Sequence, residues 1–193
     1  MHNTLSLRQR LASIMPTAQG FHTMTQHLFS SSRRVFALTL MATNLVFLGA
    51  CAMKDDAPQS TFVLLDGSKA TTADLKGKVT LVNFWATSCV SCVKEMPALI
   101  ATHNKFKDRG FETMAVAMSY DTPSLVVNFA QSRQLPFKVA LDNTGQIAKD
   151  WGDVQLTPTT YLVNKQGQIV KRYVGEPNME ALHALIDELL SKG

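Results

Sequence analysis

A chain of 193 residues, 46% hydrophobic and 18% charged, has room for one domain plus an appendage and is too apolar for wholesale disorder. Its net charge of +4 has one source: residues 1–50 hold Arg8, Arg10, Arg33 and Arg34 and no Asp or Glu, and of the 19 Lys and Arg those four leave 15 against the 15 Asp and Glu. A neutral remainder gives no electrostatic footprint for nucleic acid, and three cysteines exclude a disulfide-dense scaffold.

Val35–Ala50 (VFALTLMATNLVFLGA) is an apolar run of 16 residues behind Arg33-Arg34, short of the roughly 20 residues that cross a bilayer. A basic flank, an apolar middle and small residues at the end make residues 1–50 a signal sequence. Leu48-Gly49-Ala50-Cys51 resembles the bacterial lipobox, in which the cysteine is lipidated and becomes the first mature residue. The resemblance implies a lipid-anchored, periplasm-facing protein, and Ala52 after Cys51 favours the outer membrane. The alternative is an uncleaved anchor, which leaves the domain outside the cytoplasmic membrane as well. Met24 would give a more ordinary start. Ser32-Arg33-Arg34-Val35-Phe36 also looks like a twin-arginine signal, but paired arginines are ordinary in Sec signals, which is the preferred reading.

Lys54–Ser60 (KDDAPQS) is polar and holds a proline, so residues 51–60 read as a tether and residues 61–193 as the domain. Thr61–Leu65 is a short strand ending at Asp66-Gly67-Ser68, and Val79–Trp85 (VTLVNFW) is a strand covered on both faces. Residues 91–109 put Val93, Met96, Leu99, Ile100 and Phe106 on one helical face, with Gly110 as the stop. Thr113–Met118 is a second buried strand. Asp121-Thr122-Pro123 supplies a cap and a first-turn proline for a helix that buries Leu125, Val126 and Phe129. Phe137, Val139 and Leu141 alternate as a strand, and Gln146–Trp151 makes one or two helical turns. Thr159–Val163 and Gln168–Tyr173 flank a hairpin turn at Asn164–Gly167. Asn178 then caps a last helix with Leu182, Leu185, Ile186 and Leu189 inward. The order predicts an α/β fold, a βαβ half followed by a ββα half, in a mixed sheet with helices on both faces.

The chemistry concentrates where the buried strand meets the first helix, at Cys89-Val90-Ser91-Cys92. This spacing lets two sulfurs reach bonding distance, about 2 Å. The free N–H groups and dipole of a helix start stabilise a thiolate on Cys89, the species that attacks disulfides, and Cys92 is placed to resolve the mixed disulfide. A zinc site needs about four ligands, whereas the mature chain offers this pair with His103 and His183, so no metal is expected. Haem attachment would need His where Val93 stands. A purely structural disulfide would close too short a loop to stabilise much.

Val82-Asn83-Phe84-Trp85-Ala86-Thr87, the C-x-x-C, Lys94-Glu95-Met96-Pro97 and, about 65 residues on, Leu156-Thr157-Pro158-Thr159-Thr160-Tyr161-Leu162-Val163 resemble the TlpA/ResA branch of the thioredoxin superfamily. The resemblance runs from about Thr61 to Leu190 and implies a thioredoxin fold with an added N-terminal strand. It implies a redox pair at Cys89 and Cys92, a cis Pro158 that turns Thr157 toward the sulfurs to pair with substrate, and a Glu95 that tunes the cysteines and relays protons. Trp85 is expected beside the site as a substrate contact or as a plain core aromatic. No cofactor is implied. The implied partners are disulfide-containing clients such as apocytochrome c and a membrane electron donor of the DsbD type.

The departures are specific. Asn83 stands where many thioredoxins bury an acid, so that role falls to Glu95; Ser88 replaces a partner-contacting Trp; Val90-Ser91 is an unusual dipeptide. Two other functions compete. A peroxiredoxin-like peroxidase would need Thr and Pro where Ala86 and Val82 stand, and a copper metallochaperone would need a histidine between His103 and His183, where none occurs.

Overall fold

The computed structural model describes residues 55–192. The expected signal over 1–50 and the lipid site at Cys51 lie outside the described residues. The layering follows from the side-chain period of two along β3 (Val79–Trp85). Val79, Leu81 and Trp85 join one apolar cluster, and Val82 and Phe84 join another, so both faces of the strand are covered. Parallel beside it run β4 (Phe111–Ala117) and β5 (Lys138–Leu141), reached through α1 (Val90–Phe106) and α2 (Pro123–Ser132). Two right-handed crossovers stepping the same way across a sheet put both helices on one face. Accordingly Met96 and Leu99 of α1 and Val126 of α2 share one cluster.

The opposite face is covered by α3 (Gln146–Asp150), whose Ile147 and Ala148 pack in the cluster that holds Phe62, Phe84, Trp151 and Tyr161. The chain returns through the antiparallel pair β6 (Thr159–Val163) and β7 (Ile169–Val174) to α4 (Met179–Ser191), whose Leu182 and Ile186 close the first cluster. Asn178 caps α4 by accepting the Ala181 N–H at 2.9 Å. With β1 (Thr61–Leu64) and β2 (Lys69–Thr71) added at the N-terminus, the sheet order is β2-β1-β5-β4-β3-β6-β7. The expected mixed sheet, with helices on both faces and an N-terminal addition, is the one observed.

Some local expectations are corrected. The domain begins before residue 61: Ile169 donates to the Asp55 carbonyl at 2.8 Å, Ala57 donates to the Gly167 carbonyl at 2.9 Å, and Ala57 is buried. Residues 55–60 therefore belong to the fold and not to a free tether, because the start of the outermost strand offers backbone groups that this segment satisfies. The addition has a second strand, β2, formed when Gly67 at φ 80° and Asp66 turn the chain back on β1. The Asp66 carboxylate accepts both the N–H and the hydroxyl of Ser68, at 2.9 and 2.6 Å. Leu125, expected inward, is 52% exposed. Thr122 caps α2 without a side-chain hydrogen bond, and Asp121 is engaged elsewhere.

Candidate active site

At the end of β3 the loop Ala86–Ser88 delivers Cys89 to the N-cap of α1. Cys89 and Cys92 form a disulfide with sulfurs 2.10 Å apart. The Cys92 N–H donates to Cys89 Sγ at 3.2 Å. The Ser91 hydroxyl lies 3.4 Å from the same sulfur and must be the donor, since a disulfide sulfur carries no proton. Both donors, with the helix dipole, are placed to stabilise negative charge on Cys89 once the bond opens. Cys89 is partly exposed and Cys92 is buried, so an incoming group meets Cys89 first.

The second wall is the loop before β6. The Thr157–Pro158 peptide is cis, as expected, and the Thr157 carbonyl oxygen lies 3.6 Å from Cys89 Sγ. That loop is held by the Gly175 N–H on the Pro158 carbonyl at 2.8 Å and by the Thr159 hydroxyl on the Leu156 carbonyl at 2.7 Å.

On β3 and α1, the two elements that flank the disulfide loop, three buried polar side chains carry unsatisfied atoms. Glu95, one turn after Cys92, is only 1% exposed. Both its oxygens lack a hydrogen-bond partner among the described residues, as do Asn83 Oδ1 and Trp85 Nε1. Burial, reinforced by the Glu176 carboxylate, raises the Glu95 pKa from 4.5 to about 7. Glu95 is thus a buried acid half-protonated near neutral pH, not a solvated helix-surface residue. Asn83, at the place of the missing acid, donates to Thr160 Oγ1 at 2.9 Å. Trp85 is fully buried with its ring 5.1 Å from that of Phe129. The expected substrate contact is corrected to the core reading: Trp85 packs behind the disulfide and presents no surface to a client.

Other residues converge here without a signal at sequence level. Asp121 looks like a helix cap but is buried with its carboxylate on Thr87, accepting the N–H at 2.5 Å and the hydroxyl at 2.6 Å. Tyr120, its neighbour, reaches Thr157 Oγ1 with its hydroxyl at 3.2 Å. Glu176 follows Gly175 in the loop that braces Pro158. Neither histidine belongs to this end: His183 pairs with Thr102 at 2.8 Å and His103 with Thr113 at 3.3 Å. A cavity of about 730 Å³ bounded by His103, Phe111, Glu112, Phe137 and Lys138 includes no residue of the disulfide or the cis-proline loop.

The Redoxin family matches residues 52–187. The thiol-disulfide oxidoreductase ResA of Bacillus thuringiensis subsp. konkukian is 35% identical over 134 residues, which cover 69% of this chain and 76% of that one. ResA of Bacillus subtilis strain 168 is also 35% identical, over 77% of this chain and 83% of its own. Among solved structures, a Neisseria meningitidis protein described as a candidate thioredoxin is 38% identical with a TM-score of 0.67, covering 72% of this chain and 93% of that one.

Proposed function

The chain belongs to the Redoxin family, as a TlpA/ResA-like thiol–disulfide oxidoreductase of the thioredoxin superfamily, and from that premise we propose that it reduces disulfides of client proteins on the outer side of a bacterial membrane. The observation that carries the reading is a Cys89–Cys92 disulfide at a helix start, with the Thr157 carbonyl 3.6 Å from the exposed sulfur.

In the reducing direction the Cys89 thiolate attacks one client sulfur and expels the other as a thiolate, which takes up a proton. Cys92 loses its proton and attacks Cys89, closing the 89–92 disulfide and releasing the client as a dithiol. Two electrons pass to the client, and the disulfide form is the spent enzyme. Glu95 is the acid–base group we assign to the Cys92 proton, because a carboxyl with a pKa of about 7 can hold or release it near neutral pH. Thr157 and Pro158 present the client. A DsbD-type membrane donor recharges the pair, and apocytochrome c is the client class the family resemblance favours.

The direction is testable. Related pairs span about −270 to −120 mV, and strong oxidants owe their position to a strongly stabilised thiolate. Here Cys89 has two neutral donors and no cation in the dipeptide, while Glu95, when ionised, opposes a thiolate. Equilibration with glutathione should give a midpoint at or below about −200 mV; one near about −120 mV would make the protein an oxidant.

Cys51 belongs to the anchor in this reading. Lipid on Cys51 supplies the attachment in this reading, supported by the lipobox-like Leu48-Gly49-Ala50-Cys51, with outer-membrane sorting favoured by Ala52. Cys51→Ala should release or mislocalise the protein, while a fragment starting at Ala52 should reduce insulin at the full rate. Loss of activity in that fragment would count against separating the two roles.

A further inference from the structure

Building on the thiol–disulfide reading, we infer that Asp121 is a positioning residue for that reaction: its buried carboxylate pins the turn that carries Cys89, so that this sulfur keeps its place at the helix start when the disulfide opens. Asp121 acts through Thr87, which lies two residues before Cys89 and 34 before Asp121.

The turn spans Ala86 to Cys89 and is closed by the Cys89 N–H on the Ala86 carbonyl at 3.2 Å, with Thr87 and Ser88 at its corners. Corner N–H groups have no partner within such a turn. Here the first corner is caught from outside. The Thr87 N–H donates to Asp121 Oδ2 at 2.5 Å and its hydroxyl to Oδ1 at 2.6 Å, one short charge-assisted bond for each carboxylate oxygen. Asp121 is 8% exposed, and a carboxylate so far from water persists only where donors compensate it. Among the described residues no cation pairs with it, so Thr87 is what holds it there. Its own backbone is fixed in turn: the Asp121 N–H donates to the Met118 carbonyl at 2.9 Å, and the Met118 N–H to the carbonyl of Trp85, the last residue of β3, at 3.0 Å. The clamp therefore ties the turn after β3 to the end of the sheet itself.

The two redox forms lean on this clamp unequally. In the oxidised form the bond to Cys92 holds Cys89 against α1. Reduction breaks that bond, and the place of Cys89 then rests on its backbone: its N–H in the turn, and its carbonyl accepting the Val93 N–H at 3.0 Å. That place is what sets the sulfur 3.2 Å from the Cys92 N–H and 3.6 Å from the Thr157 carbonyl. A turn with a loose first corner lets a thiolate drift from its donor. Loss of the clamp thus destabilises the dithiol more than the disulfide, and the pair becomes harder to reduce.

The test equilibrates the full chain, in detergent, with glutathione and compares Asp121→Asn, Thr87→Val, Thr87→Ser and the double variant Asp121→Asn/Thr87→Val. Asparagine keeps the shape but has one acceptor oxygen and a donating amide, so one Thr87 donor loses its partner. Asp121→Asn should shift the equilibrium about tenfold toward the disulfide, a midpoint about 30 mV lower. Thr87→Val, which removes the hydroxyl, should shift it the same way. Thr87→Ser keeps both donors and should hold the wild-type midpoint. The double variant should shift by less than the sum of the two single ones, since both break one contact. Thermal melting of the disulfide form checks each fold, and if Asp121→Asn does not fold, the contrast between Thr87→Val and Thr87→Ser decides. An unshifted midpoint in the folded variants, or strictly additive shifts, overturns the inference. The midpoint is read without a client, so a wild type that fails to reduce insulin overturns the client-reducing reading separately.

Discussion

Alanine at Cys89 should lower insulin reduction by about a thousandfold or more, the scale on which removing a sole nucleophile acts. Alanine at Cys92 should do something different: arrest the reaction halfway and accumulate mixed disulfides with clients. The asymmetry follows from the first turn of α1. Cys89 is partly exposed and receives the Cys92 N–H at 3.2 Å and the Ser91 hydroxyl at 3.4 Å, so it is the better thiolate and the accessible one. Cys92 is buried and can reach only the sulfur of Cys89. Non-reducing electrophoresis of clients captured by each variant distinguishes the roles, and equal trapping by both would sink the assignment.

Glu95→Gln should flatten the dependence of stability on pH. The Glu95 carboxyl titrates at about 7 in the folded protein against an ordinary 4.5. A raised folded pKa means that the native state holds this proton where the unfolded chain has released it. Its contribution is therefore complete below pH ~4.5 and is lost as pH rises through about 7. At about 1.4 kcal/mol per pH unit, the full loss is about 3 kcal/mol. Urea unfolding of the disulfide form, in which neither cysteine titrates, should show the wild type losing about that much more than Glu95→Gln between pH 5 and 8.5. Parallel curves would mean that Glu95 is hydrated and not the buried acid described here. In the reduced form the same substitution should shift the pH profile of Cys89 alkylation.

How far the sequence predicts the site depends on the range of the contacts involved. Val79–Trp85 is readable because a strand buried on both faces is nearly continuous in apolar residues, and the cysteine pair because its spacing and position at a helix start carry local chemistry. Glu95 shows the limit: on a helix its charge alone suggests solvent, and only the packing of α1 on the sheet puts it inside. Asp121 is misread for a related reason. Its place before Thr122-Pro123 fits a cap, but Thr87, 34 residues earlier, competes for its carboxylate and wins. β2 has three residues and no periodicity to find; it exists because the Asp66-Gly67 turn folds it onto β1. Tyr120 is a single exposed side chain, meaningful only once its loop has met that of Thr157.

The entry of the chain into the domain bears on how far the enzyme can reach. Asp55–Ala57 docks on Gly167–Ile169, at the hairpin end of β6 and β7, whereas Thr159 and Val174, beside the cis-proline, mark the other end of the same pair. A lipid on Cys51 would leave a leash of four residue steps, at most about 14 Å when fully stretched. The domain would then be held by its far end, with the disulfide carried outward by the length of β3, about 20 Å for its six steps. Such a short mooring would fix a working distance as well as a location: clients whose cystines stand a domain's breadth above the bilayer would fall within range, and those lying flat in the headgroup layer would not.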